Sequence, residues 1–243
     1  MKKSLDHYRE TRRGLDQLAS GDSDRKPIHP QYVASVIDRL ASQDAIFTFD
    51  VGTPVVWAAR YLRMNGKRRL VGSLNHGSMA NALPQAIGAQ VSHPGRQVIS
   101  MSGDGGLAML MGELLTLRQH DLPVKLVVFK NESLAFVELE MKAGGFLDFA
   151  THLHNPDFAK VAEATGLLGL KAETPDQVEP AIAQALKYDG PALVEVLVSH
   201  QELSMPPTIT YEEAKNFGLF MLKAVLNGRG DEIIDLARVN LLR

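Results

Sequence analysis

A glycine-rich tetrapeptide, Gly103-Asp104-Gly105-Gly106, is the feature of this sequence that most directly suggests chemistry. It follows an apolar, β-branched run and precedes an apolar helical pattern, which predicts a tight strand-to-helix turn. Glycines let backbone N–H groups approach a ligand closely, and a helix N-terminus favours phosphate. Asp104 could hold a divalent cation that bridges two phosphates. Taken alone, the tetrapeptide indicates a structural turn with Asp104 as the helix N-cap more readily than a ligand site.

A second polar residue, Asn131, strengthens the ligand-site interpretation because it follows the next predicted strand. Consecutive parallel strands of a doubly wound sheet present their carboxyl ends at the same edge, so Asp104 and Asn131 could converge on one ion. Two further glycine-bearing segments, residues 50–53 and 75–79, belong to the same part of the sequence. Each alone predicts no more than a turn. Together the four segments predict loops at one edge of one sheet, suited to a magnesium diphosphate.

The elements that must position these residues alternate between strand-like and helix-like patterns. Strands are predicted over residues 45–49, 98–102, 124–129 and 192–198, and these runs are continuously apolar, which is typical of a parallel sheet covered on both faces. Helices are predicted over residues 30–40, 79–91, 106–120, 157–165 and 174–186, the last with Thr174 as N-cap and Pro175 at its first position. Residues 1–26 show a weak helical pattern that ends in a linker, GDSDRKP. We therefore expect an α/β fold with a doubly wound parallel sheet.

The composition changes after residue 198. A loop with two consecutive prolines is followed by two amphipathic segments, residues 211–226 and 231–242, which predict an appended α-helical tail. Their apolar side chains form two predicted stripes, which comprise Ala214, Phe217, Gly218, Met221, Leu222 and Val225 in the first segment and Ile233, Ile234, Ala237 and Leu241 in the second.

Composition excludes several classes of protein. The 243 residues carry 26 Lys and Arg against 28 Asp and Glu, so no basic field points to nucleic acid. The absence of cysteine excludes disulfides, thiol catalysis and cysteine-ligated metals, and it is compatible with the cytoplasm. No apolar run reaches the roughly 18–20 residues of a spanning helix. The N-terminal residues show no secretory signal.

Taken together, these motifs resemble a known family. The Gly103-Asp104-Gly105 motif with Asn131 resembles the thiamin diphosphate signature, G-D-G, some two dozen residues and then N-N. HGSMANALPQAIGAQ, residues 76–90, resembles that group's G-x-M-G-x-x-L-P-A-A-I-G-A segment. With residues 50–62, 141–145 and 217–243, the whole chain resembles the last domain of the bacterial pyruvate oxidases, also called pyruvate:quinone dehydrogenases. The resemblance implies a six-stranded parallel sheet of the thiamin diphosphate-binding fold.

The resemblance implies a role for individual residues. Asp104 and Asn131 would bind Mg²⁺ through side-chain oxygens and Ser133 through its backbone carbonyl. Met79 would be the apolar wedge beneath thiamin diphosphate, and Phe136 would be the catalytic aromatic residue that influences electron transfer. His76 is as consistent with a structural role as with a cofactor contact. The full implied cofactor-binding set is Asp50, Gly52, Thr53, His76, Gly77, Ser78, Met79, Asp104, Gly105, Gly106, Asn131, Glu132, Ser133, Leu134, Ala135, Phe136 and Val137.

The sequence departs from this pattern at Lys130, where the signature has its first Asn. Lys130 is expected either to add a cation near the phosphates or to point to solvent. The glutamate that activates the cofactor belongs to an N-terminal domain of the family that this chain does not resemble. Glu132, Glu138 and Glu140 are interpreted as solvated or loop carboxylates.

The resemblance also implies an activity for the intact enzyme, in which pyruvate is oxidatively decarboxylated to acetate and CO₂ and electrons pass through FAD to a membrane quinone. It divides the chain into residues 1–26, leading from an FAD domain, residues 27–200, binding thiamin diphosphate and Mg²⁺, and residues 201–243, a membrane-binding tail. A homotetramer in the cytoplasm, peripheral on the cytoplasmic face of the inner membrane, is implied. The chain alone is expected to be inactive.

Two other interpretations stay open. The chain could be the diphosphate-binding subunit of another split thiamin enzyme, such as a 2-oxoacid decarboxylase or oxidoreductase. It could also be a non-catalytic, lipid-binding fragment.

Overall fold

The computed structural model describes residues 2–20, 27–203 and 209–240. The chain divides into two compact units. Unit 1 comprises Met1–Lys130 and Asn155–Val198, and unit 2 comprises Asn131–His154 and Ser199–Arg243. The domain boundaries predicted after residues 26 and 200 stay a prediction, and most of the predicted GDSDRKP linker lies outside the described residues.

Unit 1 is built on a parallel sheet, which has six strands in the described part of the chain. The strands are β1 (Ile46–Phe49), β2 (Arg69–Gly72), β3 (Val98–Gly103), β4 (Lys125–Lys130), β5 (Leu168–Ala172) and β6 (Ala192–Leu197). Their spatial order is β2-β1-β3-β4-β6-β5, and every neighbouring pair is parallel. The predicted α/β fold with a parallel sheet is confirmed, as is the presence of C-terminal helices.

Helices connect and cover the strands. In chain order they are α1 (Lys2–Leu18), α2 (Pro30–Leu40), α3 (Thr53–Tyr61), α4 (Ala82–Ser92), α5 (Asp104–Met109), α6 (Leu114–Gln119), α7 (Ala135–Ala143), α8 (Phe158–Ala164), α9 (Pro175–Lys187), α10 (Tyr211–Leu226) and α11 (Gly230–Asn240). Of these, α7, α10 and α11 belong to unit 2.

The strands read as continuous apolar runs because both faces of the sheet are covered. Successive side chains of a strand point to opposite faces. Phe47 and Phe49 of β1 therefore enter one core with α2, α3 and α9, whereas Ile46 enters a second core with α4, α5, α6 and α8. The same alternation holds in β3, where Ile99 lies in the first core and Val98 in the second. This double burial matches the prediction from the sequence.

Two predicted helices are wrong in their extent. The helix predicted over residues 79–91 begins only at Ala82, because Ala80 adopts a positive φ of 63° that no helix tolerates. The helix predicted over residues 106–120 begins earlier, at Asp104, and is interrupted at Leu110 by a 3₁₀ turn over Met111–Glu113. By contrast, α2, the start of α9 with its Thr174 cap, and α10 lie where they are predicted.

The two strands that the sequence analysis missed, β2 and β5, are the edge strands of the sheet. Their residues are mostly exposed or half-buried, in contrast to the buried central strands. Because their two faces are not fully covered, these strands lack a continuous apolar run. A search for such runs, which identifies the central strands, therefore does not find them.

Unit 2 contains α7, α10 and α11. Gly145, just after α7, has a φ of +79°, and a Cβ there would lie 3.1 Å from the Asn216 carbonyl of α10, so α7 and α10 meet at a glycine.

The inward side chains of α10 and α11 include Phe220, Ala224, Leu236 and Val239, none of which belongs to the predicted stripes. Leu222, Val225 and Ile234 of those stripes are exposed, and Leu241 lies outside the described residues. None of the helices that the structure describes is long and apolar enough to cross a membrane.

Candidate functional site

The strand order of unit 1 reverses between β1 and β3. From β1 the chain moves to β2 on one side, and from β3 it moves to β4 on the other. Ligands of open parallel sheets bind outside the carboxyl ends of the strands at such a switch point. Residue 50 follows β1 and residues 104–106 follow β3, so two of the predicted loops flank this point.

Asp50 lies buried at the end of β1 and connects the surrounding segments. Its Oδ1 accepts a hydrogen bond from the N–H of Ala82, the first residue of α4, at 2.8 Å. Its Oδ2 has no hydrogen-bond partner among the described residues and faces Gly106. Burial raises the pKa of Asp50, and the hydrogen bond from Ala82 opposes that rise in part. The side chain therefore holds the loop after β1 against the start of α4, and its predicted contact with the cofactor stays a prediction.

Gly106 has to be glycine because of Asp50. A Cβ at position 106 would lie 2.4 Å from Asp50 Oδ2, and this carboxylate is held by its bond to Ala82. The backbone of the turn thus approaches Asp50 closely at Gly106, and the side chain of Asp104 is the one side chain that residues 103–106 carry. The loop before it is built similarly, since Gly52 caps α3 with a φ of +133°.

Gly106→Ala should lower the free energy of unfolding by about 1–3 kcal/mol, as is usual when atoms are added to a filled site. Urea unfolding measures this. In an Asp50→Ala background the same substitution should cost at least about 0.5 kcal/mol less, because the clashing atoms are gone. Gly88→Ala is the matched control: nothing lies within 4 Å of a Cβ there, in the helix α4, so it should not destabilise. Strictly additive effects of Asp50→Ala and Gly106→Ala would contradict this packing account.

Residues 73–81 form an internally bonded loop between β2 and α4. The Ser73 carbonyl accepts from Gly77 N at 2.9 Å, and Asn81 Nδ2 donates to the Ser78 carbonyl at 2.7 Å. Gly77 has a φ of +62°, so it needs the conformational freedom of glycine. The predicted cofactor contacts of this loop are exposed or half-buried: His76, Gly77, Ser78 and Met79.

Asp104 is the first residue of α5, and its carboxylate is fixed at both oxygens. Oδ1 accepts from Gly105 N at 2.9 Å, and Oδ2 accepts from Asn155 Nδ2 at 2.8 Å. The residue is only 2% exposed. The N-cap of α5 is Gly103, so the alternative in which Asp104 is the N-cap is wrong.

In unit 2, Asn131 begins a tight turn. Its Oδ1 accepts from Ser133 N at 3.2 Å, and its backbone carbonyl lies 2.7 Å from Nδ1 of His200. Residues 132–134 then pair with residues 151–153 through two backbone hydrogen bonds of 2.9 Å. The segment that carries the predicted ligands Asn131 and Ser133 is therefore held at both sides.

Three residues predicted to lie in this loop are helical instead. Ala135, Phe136 and Val137 form the first turn of α7, and Phe136 is half-buried. The helix was missed because the sequence offers no Ser, Thr, Asp or Asn at its N-cap, which is Leu134.

Glu138 is not a solvated or loop carboxylate, contrary to the sequence-based interpretation. It lies buried in α7, accepts from Lys142 Nζ at 2.6 Å and from the Ser133 hydroxyl, and lies 3.4 Å from His200 Nε2. Burial favours the neutral acid, but these partners outweigh it and lower the pKa of Glu138 to about 2. The bond to Glu138 correspondingly raises the pKa of His200. Glu132 and Glu140 are exposed, as expected.

Lys130 does not point to solvent, so that expectation is wrong, and the other expectation, a cation near the phosphates, stays a prediction. Its Nζ is buried, 3.4 Å from Oε1 of Glu195 and 3.1 Å from the carbonyl of Pro156. Glu195 is fully buried in the middle of β6. A buried carboxylate needs a charged or hydrogen-bonding partner, and Lys130 meets that need.

Comparison with known proteins shows the family to which the chain belongs. Residues 50–196 match the family model described as "Thiamine pyrophosphate enzyme, C-terminal TPP binding domain". The chain belongs to this family. It is 37% identical over 212 residues to YdaP of Bacillus subtilis (strain 168), named as a thiamine pyrophosphate-containing protein, with 87% of this chain and 37% of that protein covered. It is 36% identical over 183 residues to the acetolactate synthase large subunit of Porphyra purpurea, with 74% and 30% covered. The acetolactate synthase large subunit IlvB1 of Mycobacterium tuberculosis (strain CDC 1551 / Oshkosh) is 34% identical over 188 residues. The chain thus spans about a third of the length of these relatives.

The residues of this thiamine pyrophosphate-binding domain suit the cofactor, also called thiamin diphosphate. The Gly103–Gly106 turn follows β3 at the switch point, where a diphosphate can approach backbone N–H groups. Among the described residues, no group of three or more His, Asp or Glu side chains forms a metal cage. Mg²⁺ needs no such cage, since it is bound by one or two carboxylates together with phosphate oxygens.

Several polar residues of this thiamine pyrophosphate-binding domain lie far along the chain from the residues they contact, so the sequence alone does not reveal them. Asn155, Glu195 and His200 are separated from the residues they contact by 51, 65 and 69 positions. No local spacing could reveal such pairs. Glu195 did carry one signal, an isolated carboxylate inside an otherwise apolar strand, which indicates a buried partner.

Proposed function

We propose that this domain is the cofactor-binding part of an enzyme that oxidatively decarboxylates pyruvate to acetate and CO₂, and passes electrons through FAD to a membrane quinone. Membership of the family supports dependence on thiamin diphosphate. The proposal of pyruvate:quinone activity rests on the helical tail. Its residues 217–243 resemble the tail of pyruvate:quinone dehydrogenases, and α10 has an exposed apolar face.

Thiamin diphosphate supplies a carbon nucleophile toward the carbonyl of a 2-oxoacid, and the protein binds and orients it. In unit 1 the N–H group of Gly106 would bind the diphosphate, and Asp104, whose Oδ1 accepts the N–H of Gly105, would bind Mg²⁺. Met79 would support the cofactor rings from its loop. In unit 2, Asn131 and Ser133 stay the predicted further Mg²⁺ ligands, and Phe136 stays the predicted catalytic aromatic residue.

We further propose that the tail binds a phospholipid surface, in a homotetramer on the cytoplasmic face of the inner membrane. Two faces of α10 differ in their surroundings. Phe220 and Ala224 are buried, whereas Leu222, Val225 and Leu226 are 57%, 56% and 75% exposed. Amphipathic helices bind a membrane interface through such an apolar face without spanning the bilayer.

A double substitution on the exposed face, Leu222→Gln with Val225→Gln, should abolish binding to vesicles of phosphatidylglycerol and phosphatidylethanolamine, while leaving the thermal unfolding midpoint nearly unchanged. Cosedimentation with vesicles measures this. Leu115→Gln is the control, because Leu115 is equally exposed, at 58%, but lies in unit 1. If the double variant sediments as the parent does, or if neither protein binds vesicles, the tail has no interfacial role.

Pyruvate-dependent reduction of a quinone analogue tests the enzymatic proposal. The chain alone should show no turnover, because the residues that activate the cofactor and the flavin site belong to other domains of the family. Fusion to the pyrimidine-binding and FAD domains of a relative should give turnover with acetate as the product. Turnover by the isolated chain, or a fused protein that binds thiamin diphosphate but leaves pyruvate unchanged, would contradict the proposal.

A second candidate function is favoured by the relatives named acetolactate synthase, which are 34–36% identical to this chain. In that case the fused enzyme would release acetolactate, and no quinone would be reduced. Product analysis by NMR in the same assay separates the two outcomes.

A further inference from the structure

Asn155 lies against the proposed Mg²⁺ ligand although it belongs to none of the motifs of the site. Its Nδ2 donates to Asp104 Oδ2 at 2.8 Å, while Gly105 N donates to Oδ1 at 2.9 Å. A carboxylate that accepts one N–H at each oxygen is held in a single orientation.

The segment that carries Asn155 is held by buried groups. Pro156 offers its carbonyl to Lys130 Nζ at 3.1 Å, and the N–H of Phe158 donates to Glu195 Oε2. Lys130 and Glu195 are themselves an ion pair, with Nζ 3.4 Å from Oε1. Asp157, between these two anchors, caps α8 by accepting from Lys160 N at 3.0 Å. Each residue of the 155–158 turn is therefore held by at least one hydrogen bond.

We propose that Asn155 is a positioning residue, which fixes the Asp104 carboxylate for Mg²⁺, and that the buried Lys130–Glu195 pair holds Asn155 in place. This inference rests on the proposed binding of Mg²⁺ and thiamin diphosphate. Mg²⁺ demands near-ideal octahedral geometry, so a carboxylate that can rotate is a poorer ligand than one that cannot. Lys130, which replaces the first Asn of the thiamin diphosphate signature, is then the cationic partner of Glu195 and holds the turn through the Pro156 carbonyl.

Titration of Mg²⁺ into the chain at saturating thiamin diphosphate, followed by calorimetry, tests the proposal. Asn155→Ala should weaken Mg²⁺ about 10–100-fold, the range found when a group that orients a metal ligand is removed. Asn155→Ser, which keeps a polar group too short to reach Asp104, should do the same if the alanine variant folds poorly. Lys130→Asn should also weaken Mg²⁺, and Glu195→Gln in that background should restore part of the loss.

Two further measurements separate positioning from a merely structural role. The electron paramagnetic resonance spectrum of Mn²⁺, bound in place of Mg²⁺, should change in Asn155→Ala because the carboxylate geometry around the ion changes. Asn65→Ala is the control: Asn65 also holds a turn, accepting from Lys67 and Arg68 N–H groups, but it precedes β2 at the amino end of the sheet. It should alter thermal stability alone.

The outcomes are distinguishable. If Asn155→Ala and Asn155→Ser bind Mg²⁺ as the parent does while Asp104→Ala does not, the positioning role of Asn155 is wrong and the proposed function stands. If Asp104→Ala also retains the parent's Mg²⁺ affinity, the proposed cofactor site itself is wrong.

Discussion

Replacing Asp104 with alanine should abolish Mg²⁺-dependent binding of thiamin diphosphate, which we expect as a loss of at least 100-fold in calorimetric affinity. Asp104 is the buried carboxylate at the switch point of unit 1, and its two hydrogen bonds fix its orientation. Without it, no carboxylate of the Gly103–Gly106 turn remains to hold the cation that neutralises the diphosphate. Asn131→Ala should weaken binding less, since it removes a neutral oxygen.

Asp176→Ala is the matched control for Asp104→Ala. Asp176 also lies in the first turn of a helix that follows a strand of the same sheet, but it is exposed and follows the edge strand β5. It should leave the affinity for thiamin diphosphate unchanged. An Asp104→Ala variant that folds and binds the cofactor with the parent's affinity would remove the assignment of the site.

Lys142→Ala should produce the largest loss of stability, about 3–5 kcal/mol in unit 2, because it removes a buried cation that Glu138 and Glu232 share. Lys142 is 3% exposed, and its Nζ lies 2.6 Å from Glu138 and 2.9 Å from Glu232. It also lies over the ring of Phe220, with 5.3 Å to the centroid. Helices α7, α10 and α11 are thus joined at one buried ammonium group. Hydrogen exchange of the amides in α10 and α11 measures the loss, as protection reduced by at least a hundred-fold.

Lys215→Ala is the control, because Lys215 of α10 forms only an exposed pair with Glu212 at 3.8 Å. It should cost no more than about 1 kcal/mol. The Lys142 effect should also depend on pH. The pKa of Glu138 is lowered to about 2, below its value in the unfolded chain, so the stabilisation is complete above about pH 4.5 and is lost as the pH falls toward 2. A Lys142→Ala deficit that is equally large at pH 3 and pH 7 would contradict this origin.

The central part of the fold could be predicted from the sequence because it depends on local patterns. β1, β3, β4 and β6 are continuous apolar runs, since each is covered on both faces, and Thr174 with Pro175 marks the start of α9. The edge strands β2 and β5 lack that double burial and gave no signal. The break at Leu110 was missed although Gly112 lies beside it, because a single glycine within a helical pattern is tolerated and does not by itself mark a break.

For the site, the sequence identifies residues that could bind a metal or phosphate. It does not reveal their burial or the side chains that position them. Asp104 and its glycines were recognisable from residue type and position after a strand. The buried role of Asp50 was not, since nothing in DVGT tells a carboxylate that faces solvent from one that faces Gly106. Lys130 and Glu138 were misjudged for the same reason: charged residues are exposed by default, and their buried partners Glu195 and Lys142 become evident only in three dimensions.

The most direct test of the central claim is a nuclear magnetic resonance titration of the ¹⁵N-labelled chain with thiamin diphosphate and Mg²⁺, which also detects weak binding. The account predicts that amide shifts concentrate at residues 51–53, 77–79 and 104–106, the loops around the switch point, and that they require Mg²⁺. Residues 65–68 and 93–97, which precede β2 and β3 at the opposite edge of the sheet, should not shift. Shifts confined to that opposite edge, or none at millimolar cofactor, would contradict the account.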